Sequence, residues 1–436
     1  MLLSFTAENV RSYRDEVHLS LLATRLSAEG VPRSMVPAGM ARPVRVLPAV
    51  GIFGANASGK TTILRAMGDM RRLVATSFRH GSRDTPLVHH PFLLDPVCAE
   101  RPTRFEVDLL LEGVRWVYRF AVDDRSVLEE SAHHWPRGRR ALVFRRREGE
   151  LVFGAPFGAK DRTIESLLRD NALLLSVAGA TENRPLATLF DWFTSNLLLM
   201  ESDNRVPRAF VTAEMANQQN QRKRIIQMLR AADLGITSLT VNPLDDEDAE
   251  QLRRVIGLIR QAEGDLDLPD PSEMDVGSFR QLGLTHSGAD GDVSLGPEDE
   301  SLGTLVWVGL IGPMLQALDD GKAILVDELD ASFHSDLVER IVAVFQDPRT
   351  NHNGAQLIFN SHDGALLEGA GAWSLGRDQI WFAEKYADGG TKLYPLDDFS
   401  PRRDEDIRGR YYRGRYGAIP VVVDASLRNA LVPSGE

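Results

Sequence analysis

The apolar positions change their period several times along the chain, and each change marks a new element. At the start, Leu2–Phe5 is apolar-rich and Val17, Leu19 and Leu21 alternate with polar residues, which predicts two short strands. A Gly/Pro-rich loop, Gly30–Pro43, leads to a run apolar enough for a buried strand, Val46–Phe53. A glycine loop and a helix from Lys60 to Leu73 are expected next. Two alternating runs, FEVDLLL and VRWVYRFAV, meet around Glu112-Gly113 and predict a hairpin over Thr103–Val122. Further strands at Ala141–Arg145 and Leu151–Phe153 make this part of the chain a β-rich, antiparallel lobe.

From Thr163 to Leu199 the spacing is helical. The polar segment Val211–Asp270 keeps that spacing in RKRIIQMLRAADL and EDAEQLRRVIGLIRQAE, so an inserted helical arm is expected, closed by the Pro/Asp-rich loop LDLPDPSEMD. A hairpin (LGLTHSGADGDVSL) then returns the chain to a helix, Leu302–Leu318. Two apolar strands follow, Ala323–Val326 and Gln356–Asn360, separated by a helix over Ser335–Phe345. No internal repeat stands out.

Candidate chemistry sits at the joints of this pattern. Gly54–Thr61, GANASGKT, satisfies G-x-x-x-x-G-K-[ST] between an expected strand and an expected helix, the context that gives the motif meaning. Its glycines let the backbone curl so that N–H groups face a phosphate chain, and the helix N-terminus adds a favourable dipole. Gly54, Asn56, Ala57, Ser58, Gly59, Lys60, Thr61 and Thr62 are therefore the candidate nucleotide contacts. Lys60 supplies charge to the β- and γ-phosphates, and the Thr61 hydroxyl is a ligand for Mg²⁺.

Ala323–Val326 ends in Asp327-Glu328, which places Asp327 at the strand tip to hold Mg²⁺ through water and Glu328 to polarise an attacking water. His362 ends the next apolar strand, where it can sense a γ-phosphate. Ser301-Leu302-Gly303-Thr304 opens an apolar helix with a hydroxyl and a glycine beside free N–H groups, another anion-binding design that is also a good helix cap.

Composition narrows the setting. The length of 436 residues calls for two to three domains, and the single cysteine, Cys98, rules out an internal disulfide and fits a reducing cytoplasm. Acidic residues by position 8 argue against a secretory signal at the start, and no apolar run reaches the length of a membrane span. A net charge of −12 argues against wholesale wrapping of nucleic acid, although two basic clusters, Arg137–Arg147 and Arg402–Arg415, leave room for a local groove.

The order of these motifs resembles ABC-type ATPase heads, as in the SMC, RecF and OLD families. Within them the chain is similar to the stand-alone bacterial AAA family ATPases of phage-defence and abortive-infection loci, the RloA group. The matching segments run from LSFTAENVRSYRDEV through GIFGANASGKTT, HPFLLDP, DNALLLSVAG, ESLGT, ILVDELDASFH, GAQLIFNSHD and RDQIWFAEK to RGRYYRGRYGAIP.

The resemblance implies an α/β P-loop NTPase: an antiparallel β lobe, a mostly parallel core sheet and a helical insertion. The expected division is 1–204 for a first ATPase lobe, 205–284 for the insertion, 285–424 for a second lobe and 425–436 for a tail. It also implies that Glu328 is the catalytic base and His362 the switch residue. Ser301 and Gly303 would contact ATP bound to a second protomer, with Asp330 in the loop coupling the two sites. A homodimer or higher homo-oligomer through composite ATP sites then follows, as does a sensor or regulatory role over a separate effector, a Toprim-type nuclease encoded nearby. The alternative is a RecF-like DNA-clamping repair ATPase with nucleic acid as its partner.

One departure is visible. ABC-type heads carry a metal-contacting glutamine after the P-loop helix, and the first glutamine here is Gln218, inside the helical region. Either His89, His90 or Asp95 takes that role, or the site works without it. No fused nuclease constellation is evident, and the insertion is too short for a long coiled coil.

Overall fold

A computed structural model describes the chain except residues 28–29, 80–81, 83, 159, 182, 203–207, 264–278, 369–373, 403 and 421–436. The loop expected at LDLPDPSEMD and the tail expected at 425–436 lie outside the described residues.

Two large sheets organise the molecule. The first is antiparallel and seven-stranded, in the order Glu150–Phe153, Ala141–Arg147, Val127–His134, Val114–Val122, Thr103–Leu111, Leu2–Glu8, Val17–Ser20. The second has six strands in the order Leu197–Met200, Ala323–Val326, Gln356–Ser361, Ala49–Phe53, Ile380–Lys385, Thr391–Pro395. Its first five strands are parallel and the last is antiparallel. Parallel strands carry helices on both faces and read as continuous apolar runs, which is why AVGIF, AILV and QLIFNS are buried throughout.

The helix Lys60–Thr76 joins the two layers. Its Ile63, Leu64, Met67, Met70 and Leu73 share one apolar cluster with Phe5, Val107 and Tyr118 of the antiparallel sheet. On the other side, the helices Leu302–Asp320 and Ser335–Gln346 pack their apolar residues with Phe53, Val326 and Phe359 of the core sheet. The Gln356 side chain, 1% exposed, stitches the sheets together: it accepts from the Leu2 N–H at 2.6 Å and donates to the Leu2 carbonyl at 2.8 Å. Leu302–Asp320 is long and apolar enough to cross a membrane, yet most of its residues are buried in this core.

Several strands escape the periodicity, among them Arg33–Met35, which lies in the stretch expected as a Gly/Pro-rich loop and pairs with Val44–Val46, and three others with a clear cause. Leu197–Met200 was expected as the end of a helical stretch, but LLLM is buried as an edge of the core sheet, and a short apolar run carries no period to separate the two states. Val127–His134 buries Glu130 in mid-strand and shifts register at Ala132/His133, which breaks the alternation. The inserted segment has its expected helices, Gln219–Ala231 and Asp246–Glu263, but also a strand, Ile236–Pro243, paired with Arg280–Gly288 of the expected hairpin. A boundary at 284/285 therefore falls inside a strand.

Candidate nucleotide site

Each candidate chemical residue of the core follows the C-terminal end of a parallel strand. Gly54 comes after Ala49–Phe53, Asp327 after Ala323–Val326, and His362 after Gln356–Ser361. In open α/β sheets that edge is where ligands bind, because the connections there fan apart and helix N-termini face the gap. The result is a cleft of ≈ 640 Å³ lined by Asn56–Thr62, Glu328, Asp330, Ala331 and His362, with Ser12 and Lys385 at its side.

The glycine loop is shaped by close approach. A Cβ on Gly54 would collide with the Ala383 carbonyl, and Gly59 sits at φ 102°, against the Thr391 side chain, just before the helix begins. Only glycine adopts that backbone at low cost. Tyr13 is buried and donates its hydroxyl to the Gly59 carbonyl at 3.1 Å, so the first lobe holds the loop from outside.

Lys60 is folded back onto its own loop. Its Nζ donates to the Gly54 and Ala55 carbonyls, both at 2.9 Å, and lies 3.4 Å from His362 Nδ1. Burial pushes the ammonium down to about 8, against the opposing pull of Asp330, Glu328 and Asp327. The His362 imidazole is also held below its ordinary value, by burial first and by the Lys60 charge second.

At the cleft floor the Thr61 hydroxyl donates to Asp327 Oδ1 at 2.8 Å. Asp327 is 3% exposed, and its second partner is a residue the motif reading passed over. Asn360 Nδ2 donates to the same Oδ1 at 2.5 Å, while Asn360 Oδ1 accepts from the Glu328 N–H at 2.6 Å. Glu328 takes φ 52°, a left-handed conformation uncommon outside glycine, and its Oε1 lies 4.0 Å from His362 Nε2. Asp330 Oδ2 accepts from the His362 N–H at 3.1 Å, leaving Oδ1 buried without a partner. The signal for Asn360 was in the sequence: a polar residue inside an apolar strand beside the Asp–Glu strand has to be hydrogen-bonded.

Ser301 and Gly303 are not brought into this cleft. Ser301 Oγ accepts from the Thr304 N–H at 3.1 Å and so caps the helix Leu302–Asp320, as its cap reading required. A Cβ on Gly303 would lie 3.1 Å from the Ser332 carbonyl, so this turn packs directly on the loop that follows Asp330. Leu302 between them is 63% exposed.

None of the three residues considered for the missing glutamine lines the cleft. His90 lies 3.2 Å from Asp69 Oδ2, and Asp69 also takes two hydrogen bonds from Arg11. Asp95 caps its own short helix by accepting from Val97 N–H at 2.9 Å, and His89 Nε2 is buried without a partner. Asn9 explains why: its side chain ties Phe92, Cys98 and Arg101 to the first lobe and so fixes the segment away from the phosphate loop.

A glycine loop closed by a helix, with a lysine, a Thr–Asp pair, a Glu and a His gathered at one edge of a parallel sheet, defines a P-loop NTPase with an ABC-type ATPase head. The sequence matches the family described as "AAA domain, putative AbiEii toxin, Type IV TA system" over residues 49–368, and the chain belongs to that family. Comparison with curated proteins gives no match. Among solved structures the chain is similar to an Smc head bound to the C-winged helix domain of ScpA, at 13% identity and TM-score 0.44, covering 92% of this chain and 99% of that one. It is also similar to the SMC head domain from Thermotoga maritima, at 10% identity and TM-score 0.39, covering 90% and 98% of the two chains.

Proposed function

We propose that this chain is a cytoplasmic ABC-type ATP hydrolase that serves as the sensor or regulatory subunit of an anti-phage, abortive-infection system. ATP-driven pairing of two copies, or a higher assembly, controls a separate effector, a Toprim-type nuclease. The family description supports the defence setting. One observation carries the composite-site reading: Lys60, Thr61, Glu328 and His362 line one cleft, with Asp327 buried behind Thr61, whereas Ser301 and Gly303 lie outside it beside an exposed Leu302.

In this reading the N–H groups of Asn56–Thr62 receive the β-phosphate, and Lys60 leaves the Gly54 and Ala55 carbonyls for phosphate oxygens. Mg²⁺ fits the donor set, because the Thr61 hydroxyl and Asp327 carboxylate are adjacent hard oxygens. When bound, it neutralises charge on the transferring phosphate. Glu328 orients and polarises the attacking water, and His362, beside Lys60 and Glu328, contacts the γ-phosphate. Ser301 and Gly303 of a second copy complete the site from the open side. Asp330, hydrogen-bonded to the His362 backbone and one turn from Ser332, links hydrolysis in one site to the contact made by the other.

The test is the mass in solution of Glu328→Gln, with and without ATP and Mg²⁺. Removing the base traps ATP, so the expected result is a stable dimer or larger species that the wild type forms only transiently. A variant that binds ATP and stays monomeric overturns the composite site.

A further inference from the structure

The solvent face of the seven-stranded sheet carries a second polar feature that the ATPase reading does not use. Cross-strand register places Arg119 opposite Ser131 and Ser131 opposite Arg145, so two guanidiniums flank one hydroxyl on three neighbouring strands. At a strand spacing of about 4.8 Å their Cα atoms are about 10 Å apart, within reach of one shared anion for side chains of this length. Arg119 Nε donates to Ser131 Oγ at 3.3 Å, and all three side chains line a concavity of ≈ 480 Å³. At its border Arg140 Nη2 lies 3.3 Å from His133 Nε2.

The lining of the concavity sets five arginines against five glutamates, but the ion pairs are shared unevenly. The other arginines of this face have carboxylates: Arg104 pairs with Glu8, Arg115 with Asp108 and Arg147 with Glu129. Arg119, Arg140 and Arg145 form no ion pair among the described residues, although the chain has 62 acidic residues and a net charge of −12. The nearest acid in register is Glu106, opposite Arg119, whose carboxyl is held above its usual range by burial despite that arginine. Arg140 instead contacts His133, and the charges of Arg119 and Arg145 also act on that imidazole. Burial and then Arg140, Arg119 and Arg145 push its imidazole down to about 4, so it is neutral at pH 7. Guanidiniums this close with no counter-ion repel one another, and a ligand of opposite charge removes that repulsion.

We propose that Arg119, Arg140 and Arg145, with Ser131 and His133, form a phosphate-binding site on the open face of the antiparallel sheet, separate from the nucleotide cleft. Guanidinium forks match phosphate oxygens in pairs, the Ser131 hydroxyl donates between them, and with Nε2 accepting from Arg140 the His133 Nδ1–H is a further donor. The phosphate belongs either to a free anion or to a polynucleotide backbone. Both present the same group, and the site makes no demand on a base. The proposal does not rest on the ATPase reading.

The experiment follows the His133 imidazole by NMR in the full-length chain during titration with inorganic phosphate, and separately with a single-stranded and a double-stranded 20-mer. An anion among the three arginines must raise the His133 pKa, read at that imidazole apart from any response of His362 in the nucleotide cleft. The paired variant Arg119→Glu/Arg145→Glu is expected to weaken binding at least tenfold and abolish the His133 shift, while ATP turnover stays unchanged. Arg119→Lys/Arg145→Lys keeps the charge and retains most of the binding. Saturation by inorganic phosphate in the millimolar range assigns a free anion, and tight binding of the 20-mers alone, weakened by salt, assigns a polynucleotide. A His133 imidazole that responds to none of the three ligands, or unaltered binding by the charge-reversed variant, overturns the proposal.

Discussion

Asn360 holds Asp327 and Glu328 with one side chain: its amide donates to Asp327 Oδ1 at 2.5 Å, and its carbonyl accepts from the Glu328 N–H at 2.6 Å. Asn360 is fully buried, and its own backbone carbonyl accepts from the Leu329 N–H at 3.0 Å, so the turn after the strand is fastened at three points. That clamp keeps Glu328 in its left-handed conformation and fixes the Asp327 oxygen that also meets Thr61. Asn360→Ala removes both bonds without adding charge. The expected result is a fall in kcat of about 10–100-fold, typical of losing a partner that orients a metal-binding or catalytic group. ATP affinity without Mg²⁺ stays within about twofold, because Asn360 reaches the phosphate loop only at the Thr61 hydroxyl, the proposed metal ligand. Steady-state kinetics with a parallel ATP binding isotherm check the split, and unchanged turnover sinks the positioning role.

The composite site makes a prediction that no single-chain enzyme shares. Lys60→Ala disables a chain's own cleft, and Ser301→Arg blocks the surface it offers to a second chain. Each variant alone is expected to be inactive. Mixed in equal amounts, half of the dimers are heterodimers with one intact pair of surfaces, so about a quarter of wild-type turnover returns. ATPase assays across the mixing ratio read this directly. No recovery at any ratio, with both variants folded, excludes sites shared between copies.

Much of the candidate cleft was legible because its motifs are local. GANASGKT, ILVDE and NSH are contiguous, and the parallel sheet brings their ends together by strand order alone. What was not legible depends on contacts distant in sequence. Asn360 becomes a clamp only when Gln356–Ser361 lies beside Ala323–Val326, and Tyr13 reaches Gly59 across 46 positions. The strand Leu197–Met200 is short and uniformly apolar, so only its neighbour decides its state. The segment around His90 shows the reverse case, where a metal contact was one of two alternatives and a site without it the other. Its polar residues suggested a metal contact, yet Arg11 and Asp69 engage His90, and Asn9 anchors the stretch elsewhere.

Lys60 sets a pH dependence of known sign. Phosphate binding as proposed uses the ammonium, and burial pushes it down to about 8 in the free protein. Below that value the lysine is charged and affinity is flat. Above it each unit of pH costs up to tenfold in ATP affinity, so Kd at pH 9 is about tenfold weaker than at pH 7. Unfolding does not mimic this effect. Between about 8 and the ordinary 10.5 the unfolded chain holds the Lys60 proton more than the folded one does, so this group makes the free fold more stable as pH rises. Isothermal titrations with ATP at pH 7, 8 and 9 provide the check, with Lys60→Ala expected to bind weakly and without this slope. A wild-type Kd constant across that range contradicts the assignment.

Glu130 predicts a stability effect remote from the nucleotide. It is 1% exposed in mid-strand, where its carboxylate accepts from the Leu174 N–H at 2.6 Å, the Leu175 N–H at 3.0 Å and the Tyr118 hydroxyl at 2.9 Å. The helix Leu174–Ala180 has no side-chain cap at its own N-terminus, so Glu130 supplies one across the interface between the β lobe and the helices behind it. Arg146, buried and bonded to the carbonyls of Ala172, Arg169 and Asp170, balances the charge. Glu130→Ala leaves two N–H groups, a phenol and a buried guanidinium short of their anion, at a cost of about 3–5 kcal/mol. Glu130→Gln keeps the shape but turns one acceptor into a donor facing a donor, so its loss is smaller. Urea unfolding monitored by circular dichroism measures both. If Glu130→Ala costs less than about 1 kcal/mol, the carboxylate is not what fastens the helix to the sheet.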